Sequence, residues 1–314
     1  MSLALSTIVD AALAHSPAVG IAVRTVHGDT AEFVCRGTVA GVPVAPDTVM
    51  YGASVAKQLV AFLLALGVEA GRVGSDDPIT RWLPELPGWI DGVRLHHLLH
   101  HTSGLPDLAA PTHGVPLSNE DVLNRFRRFD VRAPIEPGTR FSYNNAGYVL
   151  LAEAVSRLFD GPITQLAREQ IFEPLGMTAT RLGGEPHRTA GYPDPPGTIG
   201  DGGLWTTAAD LTFWLAAMNS KMINANAVQR VQMVGHLADG TALDYAWGIR
   251  VAETPYGRRL THGGTWANWL AKTVRLPDQG VAVAVLSTGG SEERISQIGT
   301  DLAAHLTDLE DVAG

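Results

Sequence analysis

The sequence predicts an α/β protein of the α+β type, in which an antiparallel sheet is built from both chain ends and flanked by helices. Three observations favour this fold. Strand-like segments occur early and late in the chain, a long apolar helix begins near Ser54, and residues 75–200 have short helical patterns but little strand signal. We therefore expect a sheet domain formed by residues 1–74 and 201–314, with residues 75–200 inserted as an all-helical subdomain.

Local patterns predict each element in chain order. An amphipathic helix opens the chain, and strands at residues 19–26 and 31–39 are expected to form a hairpin through the turn residues His27-Gly28-Asp29. A buried helix runs from Ser54 until Gly71 closes it. Apolar periodicity and capping patterns predict later helices at residues 149–158, 164–172, 207–218 and 292–306. Strands bounded by turn residues are predicted at residues 247–251, 258–261, 269–275 and 281–287.

Composition excludes several functional classes. The 314 residues are 45% hydrophobic and 18% charged, as in globular proteins, and the formal net charge is −9. Without a basic cluster, nucleic-acid binding is not expected. The single cysteine, Cys35, allows no internal disulfide and is expected to be a small buried hydrophobe. The longest apolar run is too short to span a bilayer and no cationic leader is evident, so we predict a cytoplasmic protein without a membrane partner.

Ser54 and Lys57 form an S-x-x-K pattern at the start of the long apolar helix. Residues three apart lie on one helix face, so the two side chains are expected to meet. A hydroxyl needs a base to become a nucleophile, and a buried environment favours the neutral amine that can act as one. Backbone N–H groups at the helix start can stabilise an oxyanion. A capping serine followed by a surface lysine is the ordinary alternative.

Tyr143 and Asn145 precede the helix predicted over 149–158. A tyrosine acts as a base only when nearby positive charge lowers its pKa well below ~10, and Lys57 would supply that charge. Asn145 carries both a donor and an acceptor, which suits it to hold Lys57 and a substrate amide. Alternatively, the two consecutive asparagines only cap the helix, and Tyr143 is a half-buried ring.

A glycine pair follows the strand predicted over 258–261, in the segment His262-Gly263-Gly264-Thr265. Paired glycines let another backbone approach closely. A substrate could therefore lie along this strand edge, with the Thr265 N–H as a second oxyanion donor. A glycine bulge in a bend of the sheet explains the pattern equally well.

Taken in order, these motifs resemble those of a known superfamily. Ser54-Val-Ala-Lys57, Tyr143-Asn-Asn145 and His262-Gly-Gly264 resemble the three motifs of the serine β-lactamases and penicillin-binding proteins, in their class C-like branch. Two more segments resemble that family, Leu98-Leu-His-His-Thr-Ser-Gly-Leu105 and Gly202-Gly-Leu-Trp-Thr-Thr-Ala-Ala-Asp-Leu211. The similarity covers nearly the whole chain, and the family's β-lactamase/transpeptidase-like fold agrees with the one predicted above.

The resemblance implies a role for each motif residue. Ser54 would be acylated, Lys57 and Tyr143 would share proton transfer, and Asn145 would position groups. The backbone N–H groups of Ser54 and Thr265 would form the oxyanion hole. Ionisation of Tyr143 and neutrality of Lys57 are coupled, so no single base is assigned. The resemblance implies no metal and no organic cofactor.

His262 departs from the family's β-lactamases, which carry a substrate-binding lysine at this position. A histidine near neutrality is a poorer permanent cation, so β-lactam hydrolysis is expected to be a weak side activity at most. Variants with H-x-G at this motif, as in this chain, resemble D,D-peptidases, D-aminopeptidases and esterases.

Trp205 and Trp266 lie near the motifs and are expected to line an apolar substrate pocket, although large aromatics are also ordinary core residues.

Two other kinds of site have partial signals in the sequence. His96-His97 and His100-His101 invite a zinc site, but the glutamate of H-E-x-x-H and a third ligand are missing, so no metal is predicted. Gly52-Ala-Ser-Val-Ala56 nearly matches the nucleophile elbow of α/β-hydrolases, with His262 as the late histidine. The sequence lacks the strand–helix alternation that such a parallel sheet requires.

The sequence therefore predicts a serine hydrolase that forms an acyl-enzyme on Ser54. Its expected substrates are small esters and D-amino-acid amides or peptides. The substrate-binding residues are predicted to be Gly263, Gly264, Thr265, Trp266 and Trp205. An acyltransferase that uses the same site and a non-catalytic ligand-binding protein on the same fold stay open as alternatives. The sequence does not indicate an oligomeric state.

Overall fold

The structure of the chain is a computed structural model. It describes residues 2–13, 20–27, 30–110, 117–130, 136–184, 191–192, 194–220 and 222–311. The hairpin turn predicted at Gly28-Asp29 and the first residue of the strand predicted from residue 19 lie outside these ranges.

Most strands of the described chain lie before residue 52 or after residue 249. The strands are β1 (Gly20–His27), β2 (Thr30–Arg36), β3 (Thr38–Val39), β4 (Val42–Pro43), β5 (Met50–Tyr51), β6 (Arg181–Leu182), β7 (Leu204–Thr206), β8 (Arg250–Thr254), β9 (Gly257–Trp266), β10 (Trp269–Leu276) and β11 (Val281–Thr288). The main sheet has six strands in the order β2-β1-β11-β10-β9-β8, and its neighbouring strands are antiparallel. Smaller sheets are formed by β3-β4 and by β5-β7-β6.

Helices surround the main sheet and fill the middle of the chain. They are α1 (Ser2–Leu13), α2 (Ala56–Glu69), α3 (Leu95–Leu99), α4 (Asn119–Arg128), α5 (Asn145–Leu158), α6 (Ile163–Ala167), α7 (Ala208–Asn219), α8 (Ala225–Val231) and α9 (Glu292–Asp311). Of the helices described, none combines a span of bilayer length with enough apolar character to cross a membrane.

The strand β11 joins the two chain ends. It pairs with β1 from Gly20↔Thr288 to His27↔Val281 and with β10 along its other edge. Every residue of β11 is buried, as expected for a strand covered on both faces. The predicted antiparallel sheet built from both chain ends, with flanking helices, is therefore confirmed.

Alternation along β11 separates two apolar layers. Val281, Val283 and Val285 belong to the cluster that includes residues of α1 and α9. Ala282 and Ala284 belong to the larger cluster, which includes residues of α2, α5 and α7. The sheet thus has a helical layer on each face, and the larger layer contains the start of α2.

The helix α2 is buried on almost all sides, which explains its nearly continuous apolar sequence. It packs against α5 and α8. A 3-10 turn over Ala53–Val55 precedes it and packs against β9 and β10. The N-terminal end of a buried helix is therefore held beside an edge of the main sheet.

Several element bounds differ from the predicted ones. The strand β9 continues to Trp266, five residues past its predicted end at Thr261, because it pairs with β10 through the glycine pair. Helix α5 begins at Asn145, and the helix predicted over 164–172 ends in a π-helical turn. The inserted region also contains β6, so it is not helical throughout. The division at residues 75 and 200 stays a prediction.

Cys35 is less buried than predicted. It lies in β2, is half-buried and packs against the larger apolar cluster. Burial raises the pKa of its thiol. These features are those of a packing residue.

Candidate active site

Ser54 lies in the 3-10 turn between β5 and α2. The preceding residue, Ala53, has a φ of 44°, in the left-handed region that residues other than glycine rarely adopt. Such a conformation costs about 1–2 kcal/mol, and here it reverses the chain directly after a strand. The turn holds the Ser54 hydroxyl at the N-terminal end of a buried helix.

Lys57 has a fully buried side chain on the first turn of α2. Its Nζ donates to Asn145 Oδ1 and to the backbone carbonyl of Asp201, each at 2.8 Å. Its third neighbour is Ser54 Oγ, at 3.1 Å. Because the two carbonyl oxygens can only accept, a neutral amine directs its lone pair at Ser54. The arrangement suits Lys57 to receive the Ser54 proton.

Asn145 reaches Lys57 from the first residue of α5. Its neighbour Asn144 caps this helix by accepting the Gly147 N–H at 2.8 Å. Asp107 also fixes the helix start, accepting the backbone N–H of Asn145 at 3.2 Å and that of Ala146 at 2.9 Å. The two consecutive asparagines therefore do different things, since one caps the helix and the other contacts the lysine.

Tyr143 lies beside this pair. Lys57 Nζ is 4.9 Å from the centroid of the Tyr143 ring, and Tyr143 is 39% exposed. The ring also packs against His101, with 4.2 Å between centroids. Tyr143 and Ser54 line the same cavity. The structure thus brings the serine, the lysine and the tyrosine together, as the motifs predict.

The segment from His262 to Thr265 forms the second half of β9 rather than a loop after a strand. A Cβ at Gly264 would lie 3.2 Å from Ser54 N and would clash with the carbonyl oxygen of Gly52. Only glycine therefore lets β9 approach the Ser54 turn this closely. The structure does not support the alternative of a bulge, because pairing with β10 runs without a break from Leu260 to Trp266.

Two cavities flank Ser54. The larger, of about 420 Å³, is also lined by Tyr143, Asn145, Tyr245, Arg250, Thr261, His262, Gly263, Thr265, Ala271, Lys272, Glu292 and Ser296. The smaller, of about 210 Å³, is lined by Tyr51, Ala53, Asp107, Ala109, Ala110, Asn145, Pro196, Asp201, Gly202, Thr265 and Trp266. Ser54, Asn145 and Thr265 border both spaces.

The two tryptophans predicted to bind substrate have different environments. Trp266 lines the smaller cavity. Trp205 is buried in β7 against Tyr51 and Trp269, with ring centroids at 5.1 and 5.7 Å. Neither cavity beside Ser54 has Trp205 among its described lining residues. Trp205 thus packs between two other buried aromatic rings, and it lines a separate cavity together with Gly183 and Gly203. Its role in substrate binding stays a prediction.

Burial controls the charge of the histidine in the third motif. Burial, reinforced by the nearby Lys57 charge, lowers the pKa of His262 to about 3. The ring is therefore neutral at pH 7 and supplies no cation for a substrate carboxylate. This result agrees with the departure from the lysine-containing β-lactamase motif.

Sequence reasoning missed several residues of the site. Asp201 holds Lys57 through its backbone carbonyl, a contact that no side-chain pattern reveals. Tyr245, Arg250, Lys272 and Glu292 reach the larger cavity from segments without a recognisable motif. For Asp107, its position just after the Leu98–Leu105 segment was the only available signal.

The two alternative kinds of site do not fit this geometry. The four histidines of the zinc hypothesis contact separate partners, namely Asp76, Arg94, Met233 and Tyr245. Within the described ranges, no group of three or more His, Cys, Asp or Glu could hold a metal ion. The nucleophile elbow requires a parallel sheet, whereas the strands that carry this site pair antiparallel.

Comparison with known proteins identifies the family. The sequence profile described as beta-lactamase matches residues 5–307, nearly the whole chain. The chain belongs to the β-lactamase family. The resemblance read from the motifs is thereby confirmed, and the family is one of serine hydrolases.

Individual relatives show the breadth of this family. The chain is 26% identical over 300 residues to a penicillin-binding protein of Bacillus subtilis, covering 84% of this chain and 66% of that protein. It is 33% identical over 219 residues to the esterase EstB of Burkholderia gladioli, covering 61% and 55%. The chain thus spans less than two thirds of the length of either relative. The D-amino acid amidase of Ochrobactrum anthropi has the same fold, with a TM-score of 0.79, 21% identity and coverage of 100% and 99%.

Proposed function

We propose that this member of the β-lactamase family is a serine hydrolase that forms an acyl-enzyme on Ser54 with small esters or amides. The observation that carries the proposal is the position of Lys57. Two carbonyl oxygens hold its buried amine, and its remaining direction meets the Ser54 hydroxyl at 3.1 Å. A structural lysine needs no such alignment with a serine.

The reaction follows from these contacts. Ser54 Oγ attacks the substrate carbonyl carbon while its proton passes to the coupled Lys57–Tyr143 pair. The tetrahedral intermediate collapses, the bond to the leaving group breaks, and that group takes the proton. Water then attacks the carbonyl carbon of the acyl-enzyme, the bond to Ser54 Oγ breaks, and the acid is released. A proton from this water restores the Ser54 hydroxyl. Asn145 keeps the amine oriented through both halves of the reaction.

The edge of β9 supports an oxyanion hole. β8 pairs with β9 only from Gly257 to Thr261, so the following residues of β9 have an open edge on that side. Thr254 and Gly257 close the two-residue hairpin between β8 and β9, so the N–H and C=O groups of Gly257 point toward β8. Every second residue of β9 points its backbone groups the same way, so we infer that those of Gly263 and Thr265 face this open edge. Thr265 also lines both cavities beside Ser54. Its N–H and that of Ser54 are therefore our proposed oxyanion donors.

The charges around Ser54 favour an acyl group that carries an amine. The smaller cavity has two acidic residues, Asp107 and Asp201, in its lining, while Arg and Lys are missing from its described lining residues. The larger cavity carries Lys272, Arg250 and Glu292. We therefore propose that an aminoacyl group enters the smaller cavity and that the leaving group occupies the larger one. A D-aminoacyl amide or ester fits this division.

A covalent serine probe tests the nucleophile. Intact-mass measurement with a fluorophosphonate is expected to show one adduct on the wild-type protein and none on Ser54→Ala. Lys57→Met is expected to slow the reaction by about 10²–10⁴-fold, the usual effect of losing a general base. Ser6→Ala, in α1 behind the sheet, is the matched control and should react like the wild type. An adduct on Ser54→Ala, or none on folded wild-type protein, would contradict the proposal and favour a ligand-binding role.

A substrate panel tests the acyl group. D-Aminoacyl p-nitroanilides, their N-acetylated forms, p-nitrophenyl esters and a chromogenic cephalosporin should be compared by kcat/KM. We expect N-acetylation to reduce turnover and Asp107→Asn to remove that preference. Adding a competing alcohol distinguishes hydrolysis from acyl transfer, because transfer yields a new ester.

The cytoplasmic location stays a prediction, which cell fractionation tests.

A further inference from the structure

A buried tyrosine connects two motif segments that are far apart in the sequence. Tyr245 is 1% exposed, and its hydroxyl lies 3.2 Å from His101 Nε2 and 2.9 Å from His262 Nε2. His101 Nδ1 in turn accepts the backbone N–H of Asn144 at 3.1 Å. At the other end, His262 Nδ1 lies 2.6 Å from the carbonyl oxygen of Gly263.

The direction of each hydrogen bond in this series follows from its two terminal groups, the Asn144 N–H and the Gly263 carbonyl oxygen. The Asn144 N–H can only donate, so His101 Nδ1 accepts and a neutral His101 carries its proton on Nε2. That N–H donates to Tyr245, whose own hydroxyl proton is then available to His262 Nε2. From the opposite end, the Gly263 carbonyl can only accept, so His262 carries its proton on Nδ1. Both arguments assign the same direction to the Tyr245 hydroxyl.

We infer that Tyr245 is a positioning residue that fixes His262 in its Nδ1–H tautomer and thereby orients the Gly263 carbonyl at the substrate-binding edge of β9. The same bonds tie this edge to Asn144, which lies between Tyr143 and Asn145. Two walls of the larger cavity are thus joined through one hydroxyl. The structural part of this inference is independent of the proposed hydrolase activity, and only its kinetic part rests on it.

Histidine NMR of the wild-type protein tests the structural part. The ¹⁵N shifts and long-range couplings of each ring identify its protonated nitrogen. We expect His101 as the Nε2–H tautomer and His262 as the Nδ1–H tautomer, assigned by loss of signals in His101→Asn and His262→Asn. Tyr245→Phe should change both rings, whereas Tyr256→Phe, which removes a hydroxyl bonded to Asp308, should change neither. An Nε2–H tautomer for wild-type His262, or an unchanged spectrum in Tyr245→Phe, would overturn the inference.

A double-mutant cycle tests the kinetic part. With the best substrate of the panel, Tyr245→Phe is expected to raise KM by about 3- to 10-fold, as for loss of one buried hydrogen bond, with less effect on kcat. In the His262→Ala background the same change should have an effect below about twofold, because the residue through which it acts is gone. Equal effects in both backgrounds would mean that Tyr245 does not act through His262. If no substrate is turned over, the proposed function fails while the tautomer assignment still stands or falls by NMR.

Discussion

Replacing Gly264 with alanine would place a methyl group between β9 and the Ser54 turn. The new Cβ would lie 3.2 Å from Ser54 N and would overlap the carbonyl oxygen of Gly52, whereas ordinary contacts begin at 3.4 Å. Both neighbours are backbone atoms, so the overlap cannot be relieved by rotating a side chain. The two backbones must separate by about 1 Å, a displacement that can cost about 10²-fold in rate when it misplaces a reacting group. Overpacking of this kind also lowers the free energy of unfolding by about 1–3 kcal/mol.

The assay is the rate at which the fluorophosphonate adduct appears, together with the denaturant midpoint. Gly263→Ala is the matched steric control, because its Cβ would meet only Ala271 O at 3.7 Å and Glu292 Oε1 at 3.8 Å. We expect that control to keep a midpoint close to that of the wild type. If Gly264→Ala reacted at the wild-type rate with an unchanged midpoint, the close approach of β9 to Ser54 would not exist as described.

Two further predictions concern stability. Burial lowers the pKa of His100 to about 4 and that of His262 to about 3, so the unfolded chain binds more protons than the folded one below pH 6.5. The free energy of unfolding should therefore fall as the pH falls from about 6.5 to 4, by up to about 1.4 kcal/mol per pH unit for each histidine. Urea denaturation measures this slope, and His100→Asn should reduce it; a slope identical to the wild type would refute the assignment. Asn144→Ala removes the α5 cap and a bond to Leu105 O at 2.7 Å, so we expect a loss of about 1–2 kcal/mol and slower acylation through Asn145. Unchanged stability would contradict the role of Asn144 as cap.

The sequence predicts the centre of this site well, because chemistry constrains spacing there. Ser54 and Lys57 meet because residues three apart lie about one helical turn apart, and Asn145 contacts Lys57 from the start of another helix. The predicted end of β9 was wrong because the low strand propensity of glycine suggested that the strand stops before Gly263. In the structure, pairing with β10 outweighs this low propensity. The contact of the Asp201 carbonyl with Lys57 could not be predicted, because every residue carries the same carbonyl group.

The roles of the aromatic residues are the least predictable from the sequence. Trp205 lies near a motif in the sequence, yet its ring packs between Tyr51 and Trp269. Tyr245 has no motif around it, yet its hydroxyl contacts two histidines. Neighbourhood in sequence does not determine the side of an element to which a large ring points, since that depends on packing partners from distant segments.

The central place of β11 has a consequence for how the protein matures. Its partner β1 lies some two hundred and sixty residues earlier, so closing that pair carries a large chain-entropy cost. A ribosome must synthesise and release the chain beyond Thr288 before this strand can insert between its neighbours. Until then, β1 and β10 present unpaired, aggregation-prone edges, and β9 lacks the support that holds it against Ser54. Reactivity of the serine should therefore appear only after β11 has been synthesised and has paired with β1 and β10.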